Sequence, residues 1–408
     1  MPALQVDKRI PELSGIDPRA IPETVLRSET PLVLRGLLSE WPVVQAARTS
    51  ADAVAQYLQR FERAEGPPVV ATVGPPEIDG RFFYDDTLQG FNFRRENVPL
   101  GVALKTLLKY APDPAPPAIY IGSTTIDTWL PGFRAENDLP LGGRDALASI
   151  WIGNRTRIAA HQDLPDNLAC VVAGTRRATL FPPQQLENLY IGPLDVTPAG
   201  QAVSLVDFAD VDHARFPRFA HAQAQAQCAD LEAGDALFIP SMWWHHMEAQ
   251  TPFNVLVNYW WRQAPAWATT PMDALMHAIV SIRDLPDAER AIWHDVFRHY
   301  VFDYDEETVA GHVPSPARGA LAPLDEARAR HPRTPAQAPG PLGEIQCMLQ
   351  LPNRAKCPSD ASSSPAAALP AGWPQPRCRA HWARCSRSRW WSRTRSARSA
   401  WARRRSRR

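Results

Sequence analysis

The chain has 408 residues, 45% hydrophobic and 21% charged, an ordinary make-up for a folded soluble protein with room for more than one domain. Its net charge of +1 conceals a segregation: residues 361–408 hold 13 Arg and no acid, so residues 1–360 carry 31 basic against 43 acidic residues. An acidic body argues against a general nucleic-acid binder, and with no apolar leader or membrane-length apolar run the expected location is cytoplasmic, with no membrane partner.

In chain order, residues 1–116 mix strands and helices. TPLVLRGLL reads as a strand entering a turn, and SADAVAQYLQRFERA as a helix with Val54, Tyr57, Leu58 and Phe61 on one face and Ser50 as its N-cap. PPVVATV reads as a strand and LGVALKTLLKYA as a helix, closed by the proline-rich PDPAPPA. From 117 to 262 the segments AIYIGS, ASIWIGN, LACVVAG, RATLFPP, AQCADLEAG, ALFIP and NVLVNYWW are strand-length, and most are rich in β-branched or aromatic residues. Many short strands in succession predict a sandwich or jelly roll.

Residues 263–330 form a third segment. PMDALMHAIVSIRDLPDAERAIWHDVFRHYVFD reads as two amphipathic helices broken at Leu285–Pro286, striped by Met272, Leu275, Ile279 and Ile282 and then by Trp293, Phe297 and Tyr300. That face packs on the β-domain or makes a homodimer through residues 271–303. Residues 331–408 lose periodicity and carry five Trp among their Arg and Ser; they read as a disordered or out-of-frame tail. Cys170 and Cys228 are the only cysteines of the first 340 residues, consistent with a reduced compartment, and the four tail cysteines lack zinc spacing.

The chemistry concentrates in two places. His161 and Asp163 lie two apart where a strand is expected, so both side chains leave the same face. Alone, such a pair reads more readily as a structural contact at a strand end. Further on, GDALFIPSMWWHHMEA brings His245, 82 residues after Asp163, and His246 next to it. Two histidines and one carboxylate suit the facial triad that holds non-haem Fe(II) and leaves open positions for chemistry. From the residues alone, His245 and His246 stand nearly level as the third ligand. The bland readings are core aromatics for Tyr120 and Trp260, a surface arginine for Arg176 and a turn cap for Asn167; Asn258, interior to a strand, needs partners.

Together, H-x-D, G-x-R-R-x-x-L-F-P-P, I-P-x-x-W-W-H-H and N-Y-W make the chain resemble, over roughly residues 25–305, the cupin-like JmjC oxygenases, asparaginyl hydroxylases in particular. The resemblance implies a mainly β fold: a double-stranded β-helix at 117–262, with an N-terminal α/β extension and C-terminal helices. It implies Fe(II) held by His161, Asp163 and His245, with His246 pointing the other way. It implies 2-oxoglutarate as co-substrate, its distal carboxylate on Arg176, where the family usually has Lys, and on Tyr120. Asn167 and Asn258 match family amides near metal and co-substrate, and Trp260 matches an aromatic wall. A hydroxyl residue common three positions before the first His is here Ile158. The implied activity is hydroxylation or demethylation of an unknown protein side chain, RNA base or small molecule. The alternative is a non-catalytic ligand-binding protein or dimeric scaffold. DGRFFYDDTLQGFNFRREN and DFADVDHARFPRF are expected to frame the substrate.

Overall fold

The structure, a computed structural model, describes residues 4–63 and 65–326; the segment read as a tail lies outside the described residues. Eight strands form the barrel: β1 Leu147–Gly153, β2 Arg157–Gln162, β3 Asp166–Ala173, β4 Arg176–Phe181, β5 Gln227–Leu231, β6 Ala236–Ile239, β7 Trp244–Ala249 and β8 Asn254–Trp261. They divide into a sheet ordered β5-β4-β7-β2 and a facing sheet ordered β6-β3-β8-β1. This is a double-stranded β-helix, in which the chain crosses repeatedly between two facing sheets.

The N-terminal region extends both sheets. Short strands at Lys8–Arg9 and Arg81–Phe82 edge the smaller sheet; Glu12–Ser14 and Leu32–Arg35 lengthen the larger one beyond β6, and Ala118–Thr125, Val69–Gly74 and Arg94–Val98 lengthen it beyond β1. The helix after Ser50 spans Ala51–Gln59, and the Ser50 hydroxyl accepts the Ala53 N–H at 3.0 Å.

The unbroken apolar run of β3 reflects burial on both faces. Leu168, Cys170 and Val172 join the core under the N-terminal helices with Val43, Leu58 and Leu104. Ala169 and Val171 face the space between the sheets with Leu180, Leu237 and Met247. A third cluster covers the outside of the smaller sheet, where Phe208, Phe216 and Phe219 pack on Phe181 and Trp244. In the segment 207–219, expected to frame a substrate, the aromatic residues are spent on covering that outer surface.

The C-terminal helices run Pro271–Ser281 and Asp287–Phe297, broken at Pro286, and neither has a buried residue. Among the described residues no helix is long and apolar enough to cross a membrane.

The Gly-Asp turn before β6 ties the extension to the barrel. Asp235 accepts Arg35 Nη1 at 2.6 Å and the backbone N–H groups of Gly36 and Glu232 at 2.9 and 3.1 Å. Asp235→Ala leaves Arg35 and two N–H groups short of an acceptor. We expect thermal unfolding to show a loss of about 1.5–3 kcal/mol; an unchanged melting temperature would show that the turn stands without this carboxylate.

Candidate metal centre

Strand β7 pairs antiparallel with β2, and His245 lies directly opposite His161. Directly opposed residues leave the same face of a sheet, and the two imidazoles have ring centroids 4.2 Å apart. Asp163, just past the end of β2, completes the group: one ligand atom from each of the three lies within 4.8 Å of the others, and His245 Nε2 is 3.5 Å from Asp163 Oδ2. The backbone fixes the approach of Asp163, whose carbonyl accepts the Met242 N–H at 2.9 Å while Ser241 donates to the Asp166 carboxylate and the Leu164 carbonyl.

The ring orientations are set locally. Nδ1 of His161 lies 2.9 Å from the Ala159 carbonyl and Nδ1 of His245 lies 3.1 Å from the Trp243 carbonyl. A carbonyl only accepts, so each Nδ1 carries the proton and each Nε2 keeps its lone pair for the shared point. Burial, with His245 beside it, depresses His161 to about 4, so the ring is neutral at neutral pH, as a ligand must be. Burial raises Asp163, but the neighbouring His245 and His161 and the Gln201 amide outweigh it and hold the carboxylate below its usual range.

A bulge in β2 sits beside the pair. His245 opposes His161 but Met247 opposes Ile158, so two alanines of β2 face the single His246. The extra residue turns Ile158 inward, where it packs with Met247 and Trp151. His246 points outward against Phe208, ring centroids 4.8 Å apart. The geometry therefore gathers His245 and sets His246 aside.

Arg176 starts β4 on the inner face, four residues from Leu180, the cross-strand partner of His245. That is roughly 13 Å along the strand. It is 3% exposed, its Nε has no hydrogen-bond partner, and among the described residues no carboxylate pairs with it. Burial lowers its pKa. Tyr120 sits within electrostatic reach of Arg176 and Asp163, its hydroxyl pushed up mainly by burial. Asn258 Nδ2 donates to Asn167 Oδ1 at 3.3 Å.

Trp151 was missed in the sequence. It stacks on Tyr120 at 5.9 Å, meets Trp260 edge-on at 5.7 Å, and donates Nε1 to Asn258 Oδ1 at 2.6 Å. The signal was present, because Ser149, Trp151 and Gly153 alternate with Ile150 and Ile152, whose side chains belong to the opposite face. Gln201 gave no such signal. It lies on a loop remote in sequence, yet its amide donates to Asp163 Oδ1 at 3.2 Å, and the neighbouring Val203 bridges to His161. The segment flanking Gln201 is tied to part of the other predicted frame, with Tyr84 donating to the Val196 carbonyl at 2.7 Å.

Comparison with known proteins agrees with this architecture. The cupin-like domain family matches residues 18–266. Lysine-specific demethylase JMJ31 of Arabidopsis thaliana is 34% identical over 120 residues, 29% of this chain and 21% of that protein. Human tRNA wybutosine-synthesizing protein 5 is 35% identical over 106 residues, 26% of this chain and 30% of that protein. Human bifunctional peptidase and (3S)-lysyl hydroxylase JMJD7 is 26% identical over 259 residues, 57% of this chain and 77% of that protein. The chain thus spans about a fifth to a third of the length of the first two.

We expect Asp163→Ala to abolish binding of Mn(II), an air-stable probe, in calorimetric titration while the circular dichroism spectrum is kept; unchanged affinity would remove Asp163 from the site. On the same assay His245→Ala should lose binding and His246→Ala should keep it within a few-fold. The reverse order would mean that the strand register is wrong.

Proposed function

The chain belongs to the cupin-like family, its relatives named above include a demethylase and a hydroxylase, and on that premise we propose that it is an Fe(II)- and 2-oxoglutarate-dependent oxygenase. The observation that carries this reading is Arg176. A buried guanidinium without a counter-charge is costly, whereas an anionic ligand would repay its desolvation. Beside it stand a tyrosine hydroxyl and, further along the same cavity wall, two imidazoles and a carboxylate with their lone pairs converged. The donor set fits Fe(II): nitrogen and oxygen ligands, three in number, on one side.

In this reading His161, Asp163 and His245 hold the metal, and the carboxylate offsets one of its charges. Arg176 presents a planar fork to the distal carboxylate of 2-oxoglutarate, with the Tyr120 hydroxyl as a further donor. Asn167 and Asn258 hold each other and the Trp151 N–H, which fixes the amide next to the co-substrate. Trp151 and Trp260 form an apolar wall that keeps water from the bound pair. Gln201 occupies the Asp163 oxygen that does not face His245. Bound iron with 2-oxoglutarate and O₂ supplies the oxidising power for attack on a C–H bond; the protein supplies the positioning. The substrate is a protein side chain, an RNA base or a small molecule, and the reaction is hydroxylation or the demethylation that follows from it.

We further propose a homodimer through residues 271–303. Ile292 and Trp293 are exposed in the helical pair, as is Phe302 just beyond it, and the groove lined by Leu275, Ile279, Trp293 and Phe297 is about 530 Å³. Charges of both signs rim it, Arg283 with Asp284 and Arg290 with Asp287, which suits a second copy better than a strongly charged partner.

Succinate release from 2-oxoglutarate, with Fe(II) present, tests the enzyme reading directly; none under any condition would overturn it. Arg176→Ala should raise the 2-oxoglutarate KM about 30-fold or more and leave Mn(II) affinity nearly intact. Arg176→Lys should rescue in part, since the charge returns without the fork. An unchanged KM would exclude Arg176 as the carboxylate's partner. For the dimer, light scattering should give twice the chain mass and Ile279→Asp should halve it; a monomeric wild type would end that proposal.

A further inference from the structure

A second basic concavity lies outside the barrel. Arg27, Arg144 and Arg262 line an open pocket of about 360 Å³, the small end of the range of about 300–1,000 Å³ for ligand sites. Three guanidiniums face one carboxylate. Glu23 Oε1 accepts Arg27 Nε at 2.6 Å and Arg144 Nη2 at 2.5 Å. Arg262 donates only to the Ala268 carbonyl at 3.2 Å, and among the described residues no carboxylate pairs with it. Glu23 is held anionic, its pKa lowered to about 2 by the bonds from Arg144 and Arg27. The pocket therefore keeps a surplus of two positive charges.

Its walls are built rather than incidental. Arg144 is largely covered, its guanidinium lying 5.7 Å from the Trp261 ring centroid and donating to the Leu141 carbonyl at 3.1 Å. Gly142 and Gly143 both have positive φ, 60° and 76°. A Cβ on Gly142 would lie 2.8 Å from Arg144 Nη1, so glycine there keeps the approach to that guanidinium open. Gln263, also in the lining, donates to Asp166 Oδ2 at 2.9 Å, and Asp166 Oδ1 accepts the Ser241 N–H. The pocket thus adjoins the turn that carries Asp163.

We propose that this pocket binds a small phosphate-type dianion, either free phosphate or the phosphate group of a small molecule. Charge and shape select the class: two surplus cations match a dianion, and guanidinium forks match its tetrahedral oxygens. The surroundings select small over polymeric. Residues 1–360 carry a net excess of 12 acids, which repels a polyanion at range but is screened for a compact ion held within the pocket.

Calorimetric titration of the full chain with inorganic phosphate tests the assignment, with glucose 6-phosphate as the small-molecule arm. Saturable binding is expected, weakened about tenfold or more by Arg27→Ala/Arg262→Ala, one change at an exposed and one at a half-buried side chain, neither in the core, which should leave the melting temperature nearly in place. Glu23→Gln removes the competing carboxylate and should tighten binding several-fold. The sugar phosphate binding more tightly than phosphate would assign the site to a small-molecule phosphate; equal or weaker binding would assign it to the free ion. Double-variant affinity within twofold of wild type overturns the proposal, as does phosphate binding lost with Arg176→Ala but kept in the double variant. A short oligoribonucleotide that binds more tightly than phosphate and is lost in the double variant overturns the small-ion assignment.

Discussion

The centre depends on one cross-strand pair, His245 opposite His161. Side chains alternate along a strand, so a slip of one residue between β7 and β2 would exchange the two faces. His246 would then turn inward and His245 would be buried against Phe208. Several constraints hold the register. Met247 packs among the inner apolar residues and Trp244, three positions earlier, among those outside, as alternation along β7 requires, and the extra residue of the β2 bulge brings Ile158 opposite Met247 on the inner face. The same alternation that builds the core thus aims the ligands, and the backbone carbonyls two residues before each histidine settle which nitrogen faces the site.

Arg176 follows a different logic. Core positions in a small barrel are ordinarily apolar, and its neighbours on the inner face, Ala178 and Leu180, obey that rule. A buried cation without its own carboxylate stores an unmet electrostatic demand, which lowers its pKa and is relieved only when an anion arrives. The fold tolerates the local cost because the apolar contacts around it, each buried aliphatic side chain worth about 1.5–3 kcal/mol, outnumber it. The two outward-facing arginines of the pocket by Trp261 carry no such penalty, since water reaches them. The same residue type thus has different weight at the two sites.

The smaller sheet separates two environments. Its inner face carries the ligands and Arg176; its outer face carries His246, Phe181 and the aromatic residues of 207–219. Covering the outer face keeps β4 and β7 rigid where they present the site, consistent with functional groups placed on strands rather than loops. Gln201 is the exception, a loop residue that reaches the centre from across the sheet's end.

Much of this was legible in sequence because it is written in local periodicity. The strand segments, Ser50 as a cap, the break at Pro286 and the shared face of His161 and Asp163 all follow from spacing within a few residues. The choice of His245 over His246 did not, since both readings satisfy alternation until a partner strand fixes which face is inside. Nor did the fate of residues 207–219, whose aromatic content fits a substrate frame and a buried cover equally well. Gln201, the Trp151 contacts and the gathering of Arg27, Arg144 and Arg262 join segments far apart in the chain, and no local rule links them. Sequence alone determined which residue types were available on which face of each strand. Only the tertiary structure decided which faces met, because long-range register depends on the packing of the whole core.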